Sequence, residues 1–223
     1  MKKILLLSAF FILSVHGFSQ NKGVRIGLNF SPALSFNRVS DATAANQLNY
    51  SNNSSGIRFI AGPEIYFFLS KQFAITTGLW YTSMREGFSF QSKGVSGYTD
   101  LEKSAYYNLQ TLQIPLTMRL YTDEIVTNMR IYFQLGAAAN AVINAKQYKA
   151  DTSVQNAIKH FIPVNASLIL ASGVELKIGD TNYLMLGLRY TRGLTNTISS
   201  MNYNLSVMNS KPDLFSLDLG IRF

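Results

Sequence analysis

The residues best suited to chemistry in this chain are few and far apart. Its 223 residues include no cysteine and two histidines, which excludes disulfides, thiolate metal sites and cysteine nucleophiles. His16 lies in an apolar N-terminal run, and His160 follows Asp151 and Ser153 in a polar stretch. A Ser–His–Asp site needs a positioned partner, and a metal site needs further ligands. We therefore interpret His160 as a solvated loop residue, with a lipid-modifying enzyme as the less favoured alternative; no catalytic residue, metal or cofactor is expected.

Charged side chains are scarce and scattered along the sequence. They make up 14% of the residues, and the net charge of +8 comes without any basic run. Nucleic-acid binding would need basic residues clustered on one face, so no nucleic-acid partner is expected. Glu64, Glu175 and Asp218 could be taken for an acid–base group. We interpret them instead as carboxylates that neutralise arginines inside a barrel.

Period-two alternation of apolar and polar side chains dominates the sequence after residue 22. Such alternation predicts strands with one apolar and one polar face. In the first strand, Val24, Ile26 and Leu28 alternate with Arg25 and Gly27. Eight strands are predicted, over about residues 23–30, 57–68, 73–88, 106–121, 129–143, 164–178, 183–192 and 214–223.

The polar faces of these strands carry charges of both signs among many small residues. The predicted interior polar network consists of Arg25, Arg58, Glu64, Glu86, Arg119, Arg130, Glu175, Lys177, Arg189, Asp218 and Arg222. An eight-stranded barrel has just enough room inside for side chains, whereas a lipid-facing arginine costs about 2–4 kcal/mol near the membrane midplane. The sequence therefore predicts an all-β fold: an eight-stranded antiparallel up-and-down transmembrane β-barrel with a polar, side-chain-filled interior and membrane lipid around it.

A soluble exported barrel of the lipocalin type is the alternative, because it also has one apolar face, turned inward. In that alternative Leu186 and Leu217 line a cavity for an apolar ligand. Strand length favours the membrane barrel. The predicted strands mostly have about 10–15 residues, and about 9–11 suffice to cross a membrane, whereas strands of soluble proteins commonly have about 5–6.

The predicted connections alternate strictly between short and long. The short ones are residues 69–72, 122–128 and 179–182, and the long polar ones are residues 31–56, 91–105, 144–162 and 195–212. Outer-membrane barrels have short periplasmic turns and longer extracellular loops. The long loops are therefore predicted to lie outside the cell, where they could bind a protein or another surface ligand.

Two irregularities qualify the strand assignments. In the fourth strand, Tyr107 and Leu109 are out of phase with the residues that follow, which predicts a bulge near Gln110. Pro63 and Pro115 each remove a backbone donor from the sheet, so we expect them at bulges or near strand ends.

The N-terminus has the three parts of a secretory signal. Lys2 and Lys3 precede the apolar run 4–15, which is too short to span a bilayer as a helix. Small residues at Gly17 and Ser19 predict cleavage before Gln20. Residues 1–19 are then a signal peptide and residues 20–223 the barrel domain; a retained anchor helix is the less favoured alternative.

Four short motifs, spread over nearly the whole mature chain, resemble the PorT-like outer-membrane β-barrel proteins of Bacteroidetes-type bacteria. They are Arg25-Ile26-Gly27-Leu28-Asn29-Phe30-Ser31, Leu112-Gln113-Ile114-Pro115-Leu116, Gly187-Leu188-Arg189-Tyr190 before Gly193-Leu194, and Leu219-Gly220-Ile221-Arg222-Phe223. The resemblance implies a location in the cell outer membrane, and it implies that Phe223 is read by the barrel-assembly machinery. Some relatives take part in protein secretion and gliding, but no motif here marks that subgroup. A non-enzymatic structural or surface-interaction role is expected.

Overall fold

Strands make up most of the chain that the structure describes. The computed structural model describes residues 23–41, 48–52, 55–92, 103–148, 154–199 and 208–223. The strands are β1 (Val24–Asp41), β2 (Leu48–Asn52), β3 (Gly56–Phe68), β4 (Phe73–Gly78), β5 (Trp80–Ser92), β6 (Lys103–Tyr121), β7 (Met129–Tyr148), β8 (Val154–Asn156), β9 (Val164–Lys177), β10 (Tyr183–Gly193) and β11 (Met208–Arg222). A single 3₁₀ turn, Ile158–His160, is the helical element of this part of the chain. Over these same ranges, no helix is long and apolar enough to cross a membrane.

The sheet closes on itself into a barrel. Every pairing is antiparallel, β1 pairs with both β3 and β11, and β6 pairs with β7. β4 and β5 form one wall interrupted at Leu79, because both pair with β3 on one side and β6 on the other. β2 and β8 are short additions to the ends of β5 and β7. The predicted eight-stranded up-and-down barrel is confirmed.

The apolar face of the barrel is outside. Leu186 and Leu217 are 46% and 41% exposed, whereas Arg189 and Arg222 are 1% and 2% exposed. Side chains alternate across a strand, so one register places Leu184, Leu186 and Leu188 of β10 together on the outer side. The prediction of a polar, filled interior is confirmed. The lipocalin-like alternative is wrong, because Leu186 and Leu217 face away from the interior.

Several walls extend beyond their predicted ends. β1 continues to Asp41, where the prediction ended at Phe30, and β11 begins at Met208 instead of Leu214. The ladder between β1 and β11 runs unbroken through this extension to the pair Asp41 and Met208. Toward the end of this extension the outward residues Arg38 and Lys211 and the inward residues Asn37 and Ser210 are all polar, so the apolar–polar alternation disappears although the backbone stays paired. The short turns 69–72 and 122–128 lie where they were predicted, and Ile178 joins the predicted turn 179–182 outside the strands.

A bulge is present beside Gln110, as predicted, but its extra residue lies on the neighbouring strand β7. Gln110 pairs with Asn144 and Thr111 pairs with Val142, which leaves Ile143 of β7 as the extra residue. β6 itself keeps one phase, because Tyr107 and Leu109 are buried on the same face as Thr111. The predicted change of phase in this strand is wrong, since the interior becomes apolar at this end and apolar side chains therefore point inward.

The two prolines lie within strands, beside the interruption in the β4–β5 wall. Pro63 is in β3 and Pro115 is in β6, on either side of Leu79. The Leu79 N–H donates to the Pro63 carbonyl over 3.2 Å, and the Thr77 hydroxyl donates to the Pro115 carbonyl over 2.8 Å. The expectation of bulges or strand ends is wrong in this detail: the prolines lack the N–H that would complete the ladder, so the wall between them is interrupted.

Candidate functional site

The barrel interior is organised in layers, beginning at the end with the short turns. There Glu175 forms ion pairs with two arginines: Arg222 Nη1 lies 2.6 Å from Oε1, and Arg130 pairs with Oε2. The Arg222 guanidinium also lies 4.2 Å from the ring centroid of Tyr183. Arg130 covers the ring of Tyr121 at 3.9 Å. Two cations thus share one buried carboxylate, with aromatic faces supplying further attraction.

Arg119 is the centre of the next layer. Its Nη2 lies 3.3 Å from Glu64 Oε1 and donates to Gln134 Oε1 over 2.6 Å. Glu64 also accepts from the Tyr66 hydroxyl over 2.7 Å, and the Arg119 guanidinium lies 4.5 Å from the ring centroid of Tyr132. A buried ion pair is stable only when further hydrogen bonds support both ions; here Gln134 Oε1 accepts from Arg119, and the Tyr66 hydroxyl donates to Glu64.

A further ion pair and a glycine socket complete the middle of the barrel. Arg189 Nη2 lies 2.6 Å from Asp218 Oδ2, and its guanidinium stacks 4.1 Å from the ring centroid of Trp80. Gly173 and Gly187 are cross-strand partners on β9 and β10. A Cβ atom at Gly187 would lie 2.2 Å from the Tyr132 hydroxyl oxygen, so the ring of Tyr132 can reach across the lumen only where these side chains are absent.

An apolar cluster closes the barrel at the end with the long loops. Its buried members include Met84, Leu109, Val142, Ala145 and Leu214 from the walls, and Phe161 and Ile198 from the connections. Phe161 packs edge-on against Tyr107 with ring centroids 5.4 Å apart. Phe161 and Ile198 also form a β-bridge with each other. Two connecting segments therefore cover the lumen, and we call this set of residues the apolar cap.

The predicted interior residues fall into three groups. Glu64, Glu86, Arg119, Glu175, Arg189, Asp218 and Arg222 are buried in the lumen. Arg25, Arg130 and Lys177 line a cavity of about 640 Å³ at the mouth with the short turns. Arg58 is half-buried and donates to Asn108 Oδ1 at the other end.

Sequence reasoning missed the uncharged partners of this network. Tyr66, Tyr132 and Gln134 share the inward face with the charged residues and contact Arg119 or Glu64, and Thr117 accepts from Gln134 Nε2. Their position in the period-two pattern was the available signal. The possible catalytic group around His160 is not assembled within the described residues, because Asp151 and Ser153 lie outside them. In the same part of the chain, no three His, Cys, Asp or Glu side chains are grouped for a metal.

Residues 18–199 match the family described as outer membrane protein beta-barrel domain. This chain belongs to that family. No curated protein matches the sequence. OprG, an outer membrane protein of Pseudomonas aeruginosa, superposes with a TM-score of 0.52 at 10% identity, over 90% of this chain and 97% of OprG. Neisserial surface protein A (NspA) gives 0.49 at 12% identity over 90% and 96%, and the outer membrane protease OmpT of Escherichia coli gives 0.46 at 12% over 92% and 97%. The likeness to OprG shows the fold.

As an outer-membrane barrel, the protein sits in lipid, and its outward side chains mark the depth of the membrane. On the β4–β5 wall the outward residues Ile75, Leu79 and Tyr81 are apolar or aromatic, whereas Ser83 and Arg85 follow them. A charged residue facing lipid is costly, so the membrane-spanning part of this wall ends between Tyr81 and Ser83.

Glu86 is therefore inside the barrel but outside the membrane-spanning part of this outer-membrane protein. Its carboxylate accepts from the Thr197 hydroxyl over 2.8 Å and from the Ser210 hydroxyl over 2.9 Å. Within the described residues it has no ion-pair partner. Burial raises the pKa of Glu86 to about 7, and the two hydroxyl donors lower that pKa only in part. Glu86 thus ties the segment after β10 to the walls beside the apolar cap.

Proposed function

We propose that this protein is a non-enzymatic outer-membrane barrel whose rigid loop end serves as a surface for a partner outside the cell. The observation that carries the proposal is the length of the walls. β7 has 20 residues and β6 has 19, whereas about 9–11 residues cross a membrane. Their mutual pairing continues from Tyr121 and Tyr132 to Tyr106 and Tyr148. A paired ladder that rises beyond the lipid is a stiff platform for binding loops.

The closed interior supports a structural or binding role over transport through the lumen. Three buried ion pairs occupy the middle and the mouth with the short turns, formed by Arg119 with Glu64, Arg189 with Asp218, and Arg222 with Glu175. The apolar cap covers the opposite end. A barrel of this size is filled by its own side chains, so no continuous aqueous path is expected.

The same contacts support the absence of catalysis in the lumen. An acid–base pair needs a carboxyl group free to exchange its proton with a substrate. Glu64, Glu175 and Asp218 are each held by an arginine in a buried ion pair. Their role is to neutralise the interior cations.

We further propose how the protein reaches the outer membrane and that it belongs with the PorT-like barrels. Residues 1–19 act as a cleaved signal peptide, and the barrel-assembly machinery recognises Phe223. In support, the Phe223 ring is exposed, and its N–H donates to the Ile26 carbonyl at the end of the closing pair β1–β11. The PorT-like motifs lie in β1, β6, β10 and β11 and the residues that directly follow the last two, so they span the barrel that the assembly machinery must close.

Cysteine labelling in whole cells tests the orientation of the barrel, since the chain has no cysteine of its own. Lys146 is exposed at the loop end and Asp180 is exposed in a short turn. A membrane-impermeant maleimide is expected to label Lys146→Cys in intact cells and Asp180→Cys only after permeabilisation. The unchanged chain is the control for background. Recovery of the protein from the soluble periplasm, or labelling of Asp180→Cys alone in intact cells, would contradict the proposal.

A further inference from the structure

Three outward-facing cations lie together just beyond the apolar band of the barrel. Arg38 on β1 and Lys211 on β11 are directly opposed in the ladder. Arg192 on β10 is opposed to Asp213 on β11. Opposed residues in an antiparallel pair point to the same face, and all four alternate in phase with the exposed residues of their strands. We call Arg38, Lys211 and Arg192 the rim cluster.

The single carboxylate among them is already occupied. Asp213 Oδ2 lies 2.7 Å from Arg38 Nε, and Oδ1 lies 3.1 Å from Arg38 Nη2. The Tyr190 hydroxyl donates to Oδ2 of the same carboxylate over 3.1 Å. Arg192 and Lys211 form no ion pair with any residue that the structure describes. The rim cluster therefore keeps two uncompensated positive charges at the edge of the lipid.

A groove of about 350 Å³ runs over the lipid-facing surface below the rim cluster. Its cause is Ser172 of β9, a small residue opposed to Phe133 on one side and to Leu188 on the other. The large neighbours stand above Ser172 as the walls of the groove. Tyr190 and Phe215 also line it. Tyr190 joins the two features, because its ring lines the groove while its hydroxyl binds Asp213 in the rim cluster.

We propose that the rim cluster and this groove together bind one phosphate-bearing lipid of net negative charge in the outer leaflet. Its phosphate contacts Arg192 and Lys211, and one acyl chain lies in the groove over Ser172. An apolar ligand alone would leave the two cations without a partner, and a soluble anion would leave the groove without one. Arginine and lysine bind phosphate well, and basic residues at the edge of a membrane attract anionic lipids. The assignment to the outer leaflet rests on the orientation of the barrel in the proposed function, whereas the binding site itself does not.

The test measures lipid binding to the purified full-length protein in detergent by native mass spectrometry. The probes are phosphatidylglycerol, phosphatidylcholine and inorganic phosphate. Each basic residue at a membrane surface changes affinity for an anionic lipid roughly fivefold. The unchanged protein is therefore expected to prefer phosphatidylglycerol roughly 25-fold, and the double variant Arg192→Gln and Lys211→Gln is expected to lose that preference. The matched control is Lys146→Gln, which removes an exposed cation on β7 and leaves the preference unchanged.

The groove is tested separately from the charges. Ser172→Leu fills the groove and is expected to lower the binding of both lipids, whereas Ala61→Leu, an outward substitution on β3, does not. The inference is overturned if the unchanged protein binds both lipids equally. It is also overturned if the charge variant retains the same phosphatidylglycerol preference as the groove variant. Competition by inorganic phosphate as effective as that of the lipid overturns it as well. Because binding in detergent requires no orientation, a failed labelling pattern with intact lipid preference overturns the proposed function and not this site.

Discussion

The buried carboxyl group of Glu86 makes the stability of the barrel depend on pH in a direction opposite to that of most carboxylates. Burial raises the pKa of Glu86 from its ordinary value of 4.5 to about 7. The folded protein thus holds this proton more tightly than the unfolded chain does. The stabilising contribution is fully present below about pH 4.5 and is lost as the pH rises through about 7.

The expected magnitude follows from this shift. One pKa unit corresponds to about 1.4 kcal/mol, so the free energy of unfolding should fall by about 2 to 3 kcal/mol between pH 5 and pH 8. Glu86→Gln keeps an acceptor for Thr197 and Ser210 but cannot ionise. Its unfolding free energy should therefore change less over this range, and it should exceed that of the unchanged protein at pH 8.

The assay is urea unfolding of the purified protein in detergent micelles at pH 5, 6.5 and 8, followed by tryptophan fluorescence. Trp80 is the single tryptophan and is buried in the lumen, so its emission reports on unfolding. Glu124→Gln, at an exposed carboxylate in a short turn, is the matched control and should retain the pH dependence. The reasoning is refuted if Glu86→Gln and the unchanged protein lose stability equally between pH 5 and pH 8.

Three further predictions concern the interior. Arg119→Met leaves the Glu64 charge buried without its cation and should lower the unfolding free energy by about 3–5 kcal/mol in the same urea assay. Adding Glu64→Gln should recover most of this loss, and the absence of recovery would contradict the ion-pair explanation. Gly187→Ala places a Cβ 2.2 Å from the Tyr132 hydroxyl oxygen and should destabilise the barrel by about 1–3 kcal/mol. Tyr132→Phe removes that oxygen and should partly rescue the stability. If Gly187→Ala costs the same stability with Tyr132 as with Tyr132→Phe, the socket explanation is contradicted. In planar bilayers the unchanged protein should give no steady channel; a stable conductance would show that the ion pairs and the apolar cap around Phe161 do not close the lumen.

The alternation of side chains, together with strand length and the cost of a charge facing lipid, was sufficient to predict the barrel and its two faces. Leu184, Leu186 and Leu188 face outward and Arg189 inward for a reason that needs no distant contact. Successive residues of a strand point to opposite sides, and charged groups cannot face lipid cheaply. A second local property, the preference of residues such as Gly179 and Asp180 for chain reversal, supported the prediction of the short turns.

Only the closed barrel decided which of these residues meet. Arg119 is 55 residues from Glu64, and Glu86 is 111 residues from Thr197. Their pairing depends on the register of several strands at once, which no single segment encodes. The reach of β1 to Asp41 likewise became visible only with β11 beside it, because beyond the lipid a strand is stabilised by its paired backbone and no longer by an apolar face. The sequence determined which side of each wall is apolar. Closure of the sheet determined the partners of the inward-facing side chains, since only closure brings residues of distant strands within hydrogen-bonding distance.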